Sequence, residues 1–120
     1  MTEKEEFIET FKKRTKAFAV LIIKFNDQMK NTESTRVIGR QLIRSATSTA
    51  ANYRAACVAR SKAEFFSKMS IVVEEADETL FWLELIEDSQ LSTPERIQPL
   101  TQEITEILKV VSKARKNTNR

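Results

Sequence analysis

The chain contains very few residues that favour turns. It has one Gly and two Pro among 120 residues, whereas these two types make up about a tenth of an average protein. A chain of this kind can change direction at only a few points, so the sequence favours long helices over short strands. The length suits one domain with a core of its own.

Apolar residues recur at helical spacing in four segments that are separated by short polar breaks. The predicted helices span residues 4–30, 35–58, 62–89 and 94–116. Ser34 is the expected N-cap of the second helix, and Ser61 to Glu64 form the capping-box pattern that starts the third. Because the breaks are short, we predict an all-α, up-down-up-down antiparallel four-helix bundle that forms a single domain, 1–120.

The first helix places its bulky apolar residues on one narrow face. These residues are Phe7, Phe11, Phe18, Leu21, Ile22, Phe25 and Met29. In the second helix, Gly39 indicates a close approach of a neighbouring helix, since glycine in a helix otherwise costs about 1 kcal/mol relative to Ala. Pro99 removes a backbone bond from the fourth helix, so we expect a kink there or a short turn before the main helix starts.

The third helix is apolar on two sides. One face carries Phe65, Met69, Val72, Val73, Ala76, Leu80 and Leu83. The second side carries Ile71, Phe81, Trp82, Leu85 and Ile86. A helix that is apolar on two sides is buried on two sides, so the second side is predicted to be an oligomer interface. The alternative is that the fourth helix covers it within one chain.

Charge is distributed unevenly along a chain whose net charge is only +3. Residues 31–60 carry five Arg and one acid, whereas residues 61–90 carry two Lys and eight acids. Arg36, Arg40 and Arg44 are spaced by four, and Arg54 returns to the same side of the helix. Such a row can bind phosphates or pair with the acids of the next helix, and the sequence leaves both readings open.

Two sets of polar residues are singled out by this pattern. The predicted nucleic-acid-binding residues are Arg36, Arg40, Arg54, Lys113, Arg115 and Lys116. The predicted inter-helix polar network consists of Arg44, Asn52, Glu75 and Glu78. No aromatic residue is interleaved with the arginine row, which weakens the case for base stacking along it.

Catalysis is not expected, because the chain has no His. Ser and Cys nucleophiles then lack their usual base, and Glu74 to Glu78 spread around their helix without a matching cluster, as a solvated face does. We predict no cofactor and no metal.

Cys57 is the only cysteine, so it is expected to be an apolar filler in a protein of the reducing cytoplasm. The N-terminus lacks a signal-peptide core and no apolar run is long enough for a bilayer, so no membrane partner is expected.

A little under half of the chain resembles a known family. The matching motifs are Arg44-Ser45-Ala46, Ser48, Ala51-Asn52-Tyr53, Ala59-Arg60-Ser61-Lys62-Ala63-Glu64-Phe65, Glu75-Ala76, Glu78-Thr79 and Trp82-Leu83. They resemble the four helix bundle protein family, also called the ribosomal-RNA intervening-sequence proteins. The fold is also similar to that of the accessory protein of diversity-generating retroelements.

The resemblance implies a homopentamer, with five bundles in a barrel, and partners that include RNA or DNA and a reverse transcriptase. Two positions depart from the family pattern. Thr49 stands where many members have an aliphatic residue, and Ala55 stands where many have an acid. The resemblance therefore transfers no site that depends on that acid.

These observations predict a non-enzymatic helical bundle that forms a homo-oligomer and presents basic surface to RNA or DNA. The alternative is a protein-interaction scaffold whose charged residues form internal salt bridges. Its partner would be another protein, such as a reverse transcriptase, and it would make no direct contact with nucleic acid.

Overall fold

The structure is a computed structural model, and it describes residues 1–118. Its four helices are α1 (Glu3–Gln28), α2 (Glu33–Ala56), α3 (Lys62–Asp88) and α4 (Pro94–Thr118). Each bound lies within two residues of the predicted one. The all-α fold is therefore confirmed, and the described residues contain no strand.

Cross-helix contacts establish that consecutive helices run antiparallel. The pairs are Asn26 with Gly39, Ser45 with Thr79 at 2.9 Å, Ser70 with Arg115 at 2.8 Å and Arg14 with Glu103 at 2.7 Å. In each pair of consecutive helices, the two contacting residues lie at comparable distances from the loop that joins the helices, as an up-down-up-down bundle requires. The Arg14 guanidinium also lowers the pKa of the Glu103 carboxyl through its hydrogen bonds, and this ion pair joins α1 to α4.

The N-cap of α2 differs from the prediction. Thr32, not Ser34, caps the helix: its side chain accepts from the backbone N–H of Thr35, and the Thr35 hydroxyl accepts from the N–H of Thr32. The Thr35 hydroxyl also donates to the carbonyl of Lys30 at 2.7 Å. Thr35 can therefore occupy the third helical position of a capping box usually built with Glu or Gln, and the helix starts two residues earlier than expected.

The ends of α3 are closed by local hydrogen bonds. Ser61 accepts from the N–H of Glu64 at 3.0 Å, which is one half of the predicted capping box; the return bond from the Ser61 N–H to the Glu64 side chain does not form. At the other end, the N–H of Leu91 bonds to the carbonyl of Ile86 and that of Gln90 to Glu87. Gln90 has a φ of 56°, which is the left-handed residue that this helix-ending motif requires. A non-glycine side chain thus stops α3, and the chain turns into α4.

Helix α4 is continuous through Pro99. The helix starts at Pro94, so the short initial turn that we considered does not form. Pro99 has no N–H to donate to the carbonyl of Glu95, but both residues are exposed. Solvent can therefore satisfy that carbonyl, and the loss of one bond does not end the helix.

The core lies between all four helices and is built mainly from the predicted apolar faces. Phe11, Phe18, Ile22 and Phe25 of α1 are buried. Phe7 and Leu21 were predicted to share this face, but their side chains are 53% and 50% exposed. The face that packs against the other helices is thus narrower than the apolar face of the sequence. Two α1 residues remain available for contacts outside the bundle core.

Gly39 lets α1 come close to α2, as predicted from a glycine in the middle of a helix. A Cβ at this position would collide with Oδ1 of Asn26 and lie 3.0 Å from its Cγ. Asn26 Oδ1 is itself buried and has no hydrogen-bond partner among the described residues. Gly39 therefore accommodates the Asn26 amide at the α1/α2 contact.

Helix α3 has two neighbours within the chain, and they bury only part of its second apolar side. Helix α3 packs against both α2 and α4, and these are the most extensive contacts of the bundle. Ile86 is fully buried in the core, so its assignment to an oligomer interface was wrong. Ile71, Trp82 and Leu85 are only half-buried, and Phe81 is 52% exposed. Part of the second side is thus buried within the chain, next to α2, which Thr79 contacts two turns before Ile86, and part of it is left open.

Candidate nucleic-acid interface

A groove of about 540 Å³ lies between α1 and α2. Its floor consists of small and aliphatic side chains: Ala19, Val20, Ile23, Ala50 and Ala51. Lys12, Lys13, Lys16 and Arg54 bring four positive charges to its lining, against the single carboxylate of Glu9. We call this surface the α1/α2 groove.

Helical spacing explains why these residues share one groove. On α2, the lining residues Thr47, Ala50, Ala51 and Arg54 follow each other at intervals of three, one and three, so they lie on one face of the helix. The small side chains of Thr47, Ala50 and Ala51 leave a depression beside α1. The long side chains of Lys12 and Lys16, which are four positions apart on α1, lie along the same groove.

The cations of the α1/α2 groove differ in their partners. The Lys12 ammonium lies 2.6 Å from a carboxylate oxygen of Glu9. Lys13, Lys16 and Arg54 form no ion pair with any residue of the described chain, 1–118. Unpaired cations beside an apolar floor can bind an anion without first losing an internal partner.

The predicted phosphate-binding residues do not form one patch. Arg36, Arg40 and Arg54 are all exposed on α2, but Arg36 and Arg54 are about 27 Å apart along the helix axis at 1.5 Å per residue. Arg36 lies near Glu33, with a nitrogen–oxygen distance of 3.7 Å, and donates to Asn31. Of the three, only Arg54 lies in the α1/α2 groove.

The basic end of α4 divides into free and engaged residues. Lys113 and Lys116 are exposed. Arg115 is half-buried; its Nε donates to the Ser70 hydroxyl at 2.8 Å, and its guanidinium lies 4.7 Å from the centre of the Phe66 ring. Arg115 therefore holds α4 against α3, which corrects its assignment as a free phosphate ligand.

Lys12, Lys13 and Lys16 are not among the site residues predicted from the sequence. A signal was present, because residues 12–16 contain four cations in five positions. These residues belong to a segment with several acids, so its average charge gave little indication of the local cluster. Only the packing of α1 against α2 shows that they lie beside Arg54.

The predicted polar network lies where α2 meets α3. Burial is the main reason that the pKa of Glu75 is raised, and the neighbouring Glu78 raises it further, whereas the Ser48 hydroxyl and the Arg44 charge lower it. Trp82 donates its indole N–H to Glu78 at 3.2 Å. Asn52 donates to Ser48 of its own helix. Because the Ser48 hydroxyl is also bonded to Glu75, Ser48 connects Asn52 to the acids.

An acidic surface runs along the outside of α3. Its residues are exposed and spaced by three or four positions: Glu74, Asp77, Phe81, Glu84 and Asp88. None of its four acids forms an ion pair within residues 1–118. The Phe81 ring lies in its middle and packs edge-on against Trp82. We call this surface the α3 outer face.

The sequence profile of the 23S rRNA-intervening sequence protein family matches residues 10–113. The chain belongs to this family. One similar solved structure is that of a protein with unknown function from the S23 ribosomal protein family of Bacteroides thetaiotaomicron. It is 34% identical, it has a TM-score of 0.83, and the alignment covers 91% of this chain and 97% of that one. No curated protein matches the chain.

In this intervening-sequence protein, Thr49 stands where many family members have an aliphatic residue, and a hydrogen bond within α2 satisfies its hydroxyl. Thr49 is buried, and its hydroxyl donates to the carbonyl of Ser45 at 2.8 Å. A buried hydroxyl without a partner would destabilise the core, so this bond makes the polar residue tolerable. Ala55 is half-buried and supplies no charge.

Among residues 1–118, no group of three or more metal-ligating side chains could hold an ion. Over the same residues, no helix combines the length and the apolar character needed to cross a bilayer.

Proposed function

We propose that this intervening-sequence protein is a non-enzymatic, self-associating helical bundle that binds the phosphates of RNA or DNA in the α1/α2 groove. The observation that carries the proposal is the set of unpaired cations, Lys13, Lys16 and Arg54, beside an apolar floor. Phosphate contacts of this kind position a nucleic acid without reading its sequence.

The separation of charge over the bundle supports binding of RNA or DNA at the α1/α2 groove. Cations concentrate in the α1/α2 groove, whereas the α3 outer face carries four exposed acids. A polyanion is attracted to the first surface and repelled by the second. The groove is therefore the side on which we expect RNA or DNA to lie.

Self-association is proposed to involve the part of α3 that the chain leaves open. Phe81 is exposed, and Ile71, Trp82 and Leu85 are only half-buried. Burial of the exposed Phe81 ring against a second copy of the chain would remove apolar surface from water and so favour association. Assembly would place several α1/α2 grooves in one particle, which strengthens binding to a long strand through multivalency.

Binding to RNA or DNA is expected to depend strongly on salt. If the assembly neutralises six to ten phosphates, affinity should fall by about 10³–10⁵-fold between 50 and 200 mM salt, because the released counterions make binding less favourable as salt rises. A filter-binding titration measures this dependence. An affinity that does not change with salt, or no binding at 50 mM salt, contradicts the proposal.

Replacing Phe81 with glutamate is expected to separate the copies, because a fifth acid would stand in the middle of the α3 outer face. Light scattering should give the wild type a mass that is a multiple of 13.8 kDa, fivefold for a pentamer, and the Phe81→Glu variant a mass close to that of one chain. Val58→Glu is the control, since Val58 is 75% exposed outside the helices. A wild-type mass of one chain in dilute buffer contradicts self-association.

The α3 outer face also favours a second candidate function. Exposed acids around an aromatic residue fit a basic protein partner, such as a reverse transcriptase, so the bundle would act as a scaffold. In that case the wild type would assemble normally but would bind neither RNA nor DNA at low salt.

A further inference from the structure

A second cavity, of about 630 Å³, lies at the end of the bundle where α1 begins, α2 ends and α4 ends. Three aromatic side chains line it: Phe7, Tyr53 and Phe65. Three cations also line it: Lys4, Arg60 and Lys62. We call it the end cavity. No acidic residue of the described chain contributes to its lining.

Phe7 lines this cavity, and its ring has two faces. One face stacks on Phe11, with ring centres 5.7 Å apart and planes inclined by 13°. Phe11 is buried and packs edge-on against Tyr53 at 4.9 Å. The buried pair therefore holds Phe7 in place, while half of its side chain remains exposed.

The cations of the end cavity are available to an anion. Lys4 and Lys62 form no ion pair within residues 1–118, and Arg60 has only a loose one, 3.6 Å from Glu64 on a highly exposed side chain. Such exposed pairs contribute little. An aromatic platform surrounded by cations is the arrangement with which proteins bind single-stranded nucleic acid.

The end cavity and the α1/α2 groove have neighbouring residues in their linings. Tyr53 lines the cavity, and the next residue, Arg54, lines the groove. Lys12 of the groove also lies close enough to Cys57 of the cavity to lower the pKa of its thiol, although burial raises that pKa more strongly. The cations of the groove are thus within reach of a strand that leaves the cavity.

We infer that the end cavity binds an unpaired nucleotide of single-stranded RNA or DNA, with the base stacked on Phe7 and the phosphates near Lys4, Arg60 and Lys62. This inference rests on the proposed function and narrows its ligand to a strand with an unpaired end. A duplex binds the α1/α2 groove through its phosphates, but its internal bases are stacked and paired, so a duplex closed at both ends by hairpin loops offers no free terminal base to Phe7.

An amphiphile with a long acyl chain and a carboxylate is the competing occupant. It requires apolar walls that remove its chain from water. Phe7, however, is half exposed at the mouth of the cavity, which suits a strand that continues outside. Stacking on a flat ring also tolerates every base, because each base has a π-face.

The test compares the wild type with Phe7→Ala on a short single strand that carries 2-aminopurine at one end, and on a duplex of equal length closed at both ends by hairpin loops. The variant is expected to bind the single strand about 5- to 150-fold more weakly and the duplex unchanged. Its salt dependence should also stay unchanged, because no charge is lost. Wild-type protein should quench the 2-aminopurine fluorescence by stacking, and the variant should not; Phe7→Tyr should restore both binding and quenching.

Each result separates the inference from the proposed function. If Phe7→Ala changes neither single-strand affinity nor quenching while both nucleic acids still bind, the end cavity is not a nucleotide site and the proposed function stands. If neither nucleic acid binds the wild type at low salt, both fail. Loss of palmitate binding by Phe7→Ala, with single-strand binding intact, would instead assign the cavity to an amphiphile. Retained helicity of Phe7→Ala shows that the effects are local.

Discussion

Replacing both Lys13 and Lys16 with glutamate is expected to lower the affinity for RNA or DNA by about 50-fold or more at 100 mM salt. Each phosphate contact contributes nearly a factor of ten between 1 M and 0.1 M salt, because the slope of log affinity against log salt is about −0.9 per contact for a duplex. Two contacts are lost in this variant, and two acids then repel the strand. The slope should become shallower by about 1.4–1.8, which a salt titration of each protein measures.

The matched control carries the same change in net charge on another helix. Arg96 and Lys109 are exposed on α4 and do not line the α1/α2 groove, so Arg96→Glu with Lys109→Glu should reduce affinity only through the general charge of the protein. If the two double variants bind RNA or DNA equally well, the net charge of the protein explains the binding, and the α1/α2 groove is not the site. Both variants should keep the helicity of the wild type, since all four side chains are exposed.

Phe18→Ala is expected to cause the largest loss of stability. The Phe18 side chain is 1% exposed within the core, and removing a buried phenyl group costs about 3–5 kcal/mol, because transfer energy is lost and a cavity remains. That is a large part of the roughly 5–15 kcal/mol by which domains are stable. Guanidinium unfolding at a fixed protein concentration measures the change, since assembly couples stability to concentration.

Leu21→Ala is the control for this variant on the same helix. Leu21 belongs to the same apolar pattern in the sequence, but its side chain is 50% exposed. Its replacement should lower the free energy of unfolding by less than about 1 kcal/mol, because little packed surface is lost. Equal losses for the two variants would mean that Leu21 is buried, in the bundle or against another copy.

The positions of the helix ends could be predicted closely from the neighbouring residues. Ser61 caps α3 and Pro94 starts α4, as their sequence context predicts, because capping depends on residues within one turn. Thr32 was missed because the partner at the third helical position is Thr35, a residue that rarely serves in a capping box. Even there the error was only two residues, since both possible caps lie in the same polar break.

Side-chain burial was predicted less completely than helix position. Phe7 and Leu21 follow the helical spacing of the core residues, yet they are exposed. Ile86 lies on the second side of α3, yet it is buried. Spacing gives the side of the helix on which a residue lies, but the position and tilt of the neighbouring helices determine how much of that side is covered.

The candidate site depends even more on packing. The row of α2 arginines was visible in the sequence, but its members lie at different ends of the helix, and only Arg54 joins Lys12, Lys13 and Lys16. Likewise, Phe7 and Arg60 are far apart in the chain and meet in the end cavity. Such sets combine residues from different helices, and no local pattern encodes them.

The amino-acid sequence by itself determined the family, the four helices and their approximate ends, because hydrophobic period and capping act over a few residues. Tertiary structure alone decided which cations share a groove, which aromatic ring stays open and which apolar side of α3 is covered. The physical reason is that helices pack as whole surfaces, so the neighbours of a side chain depend on the rotation of two helices relative to each other.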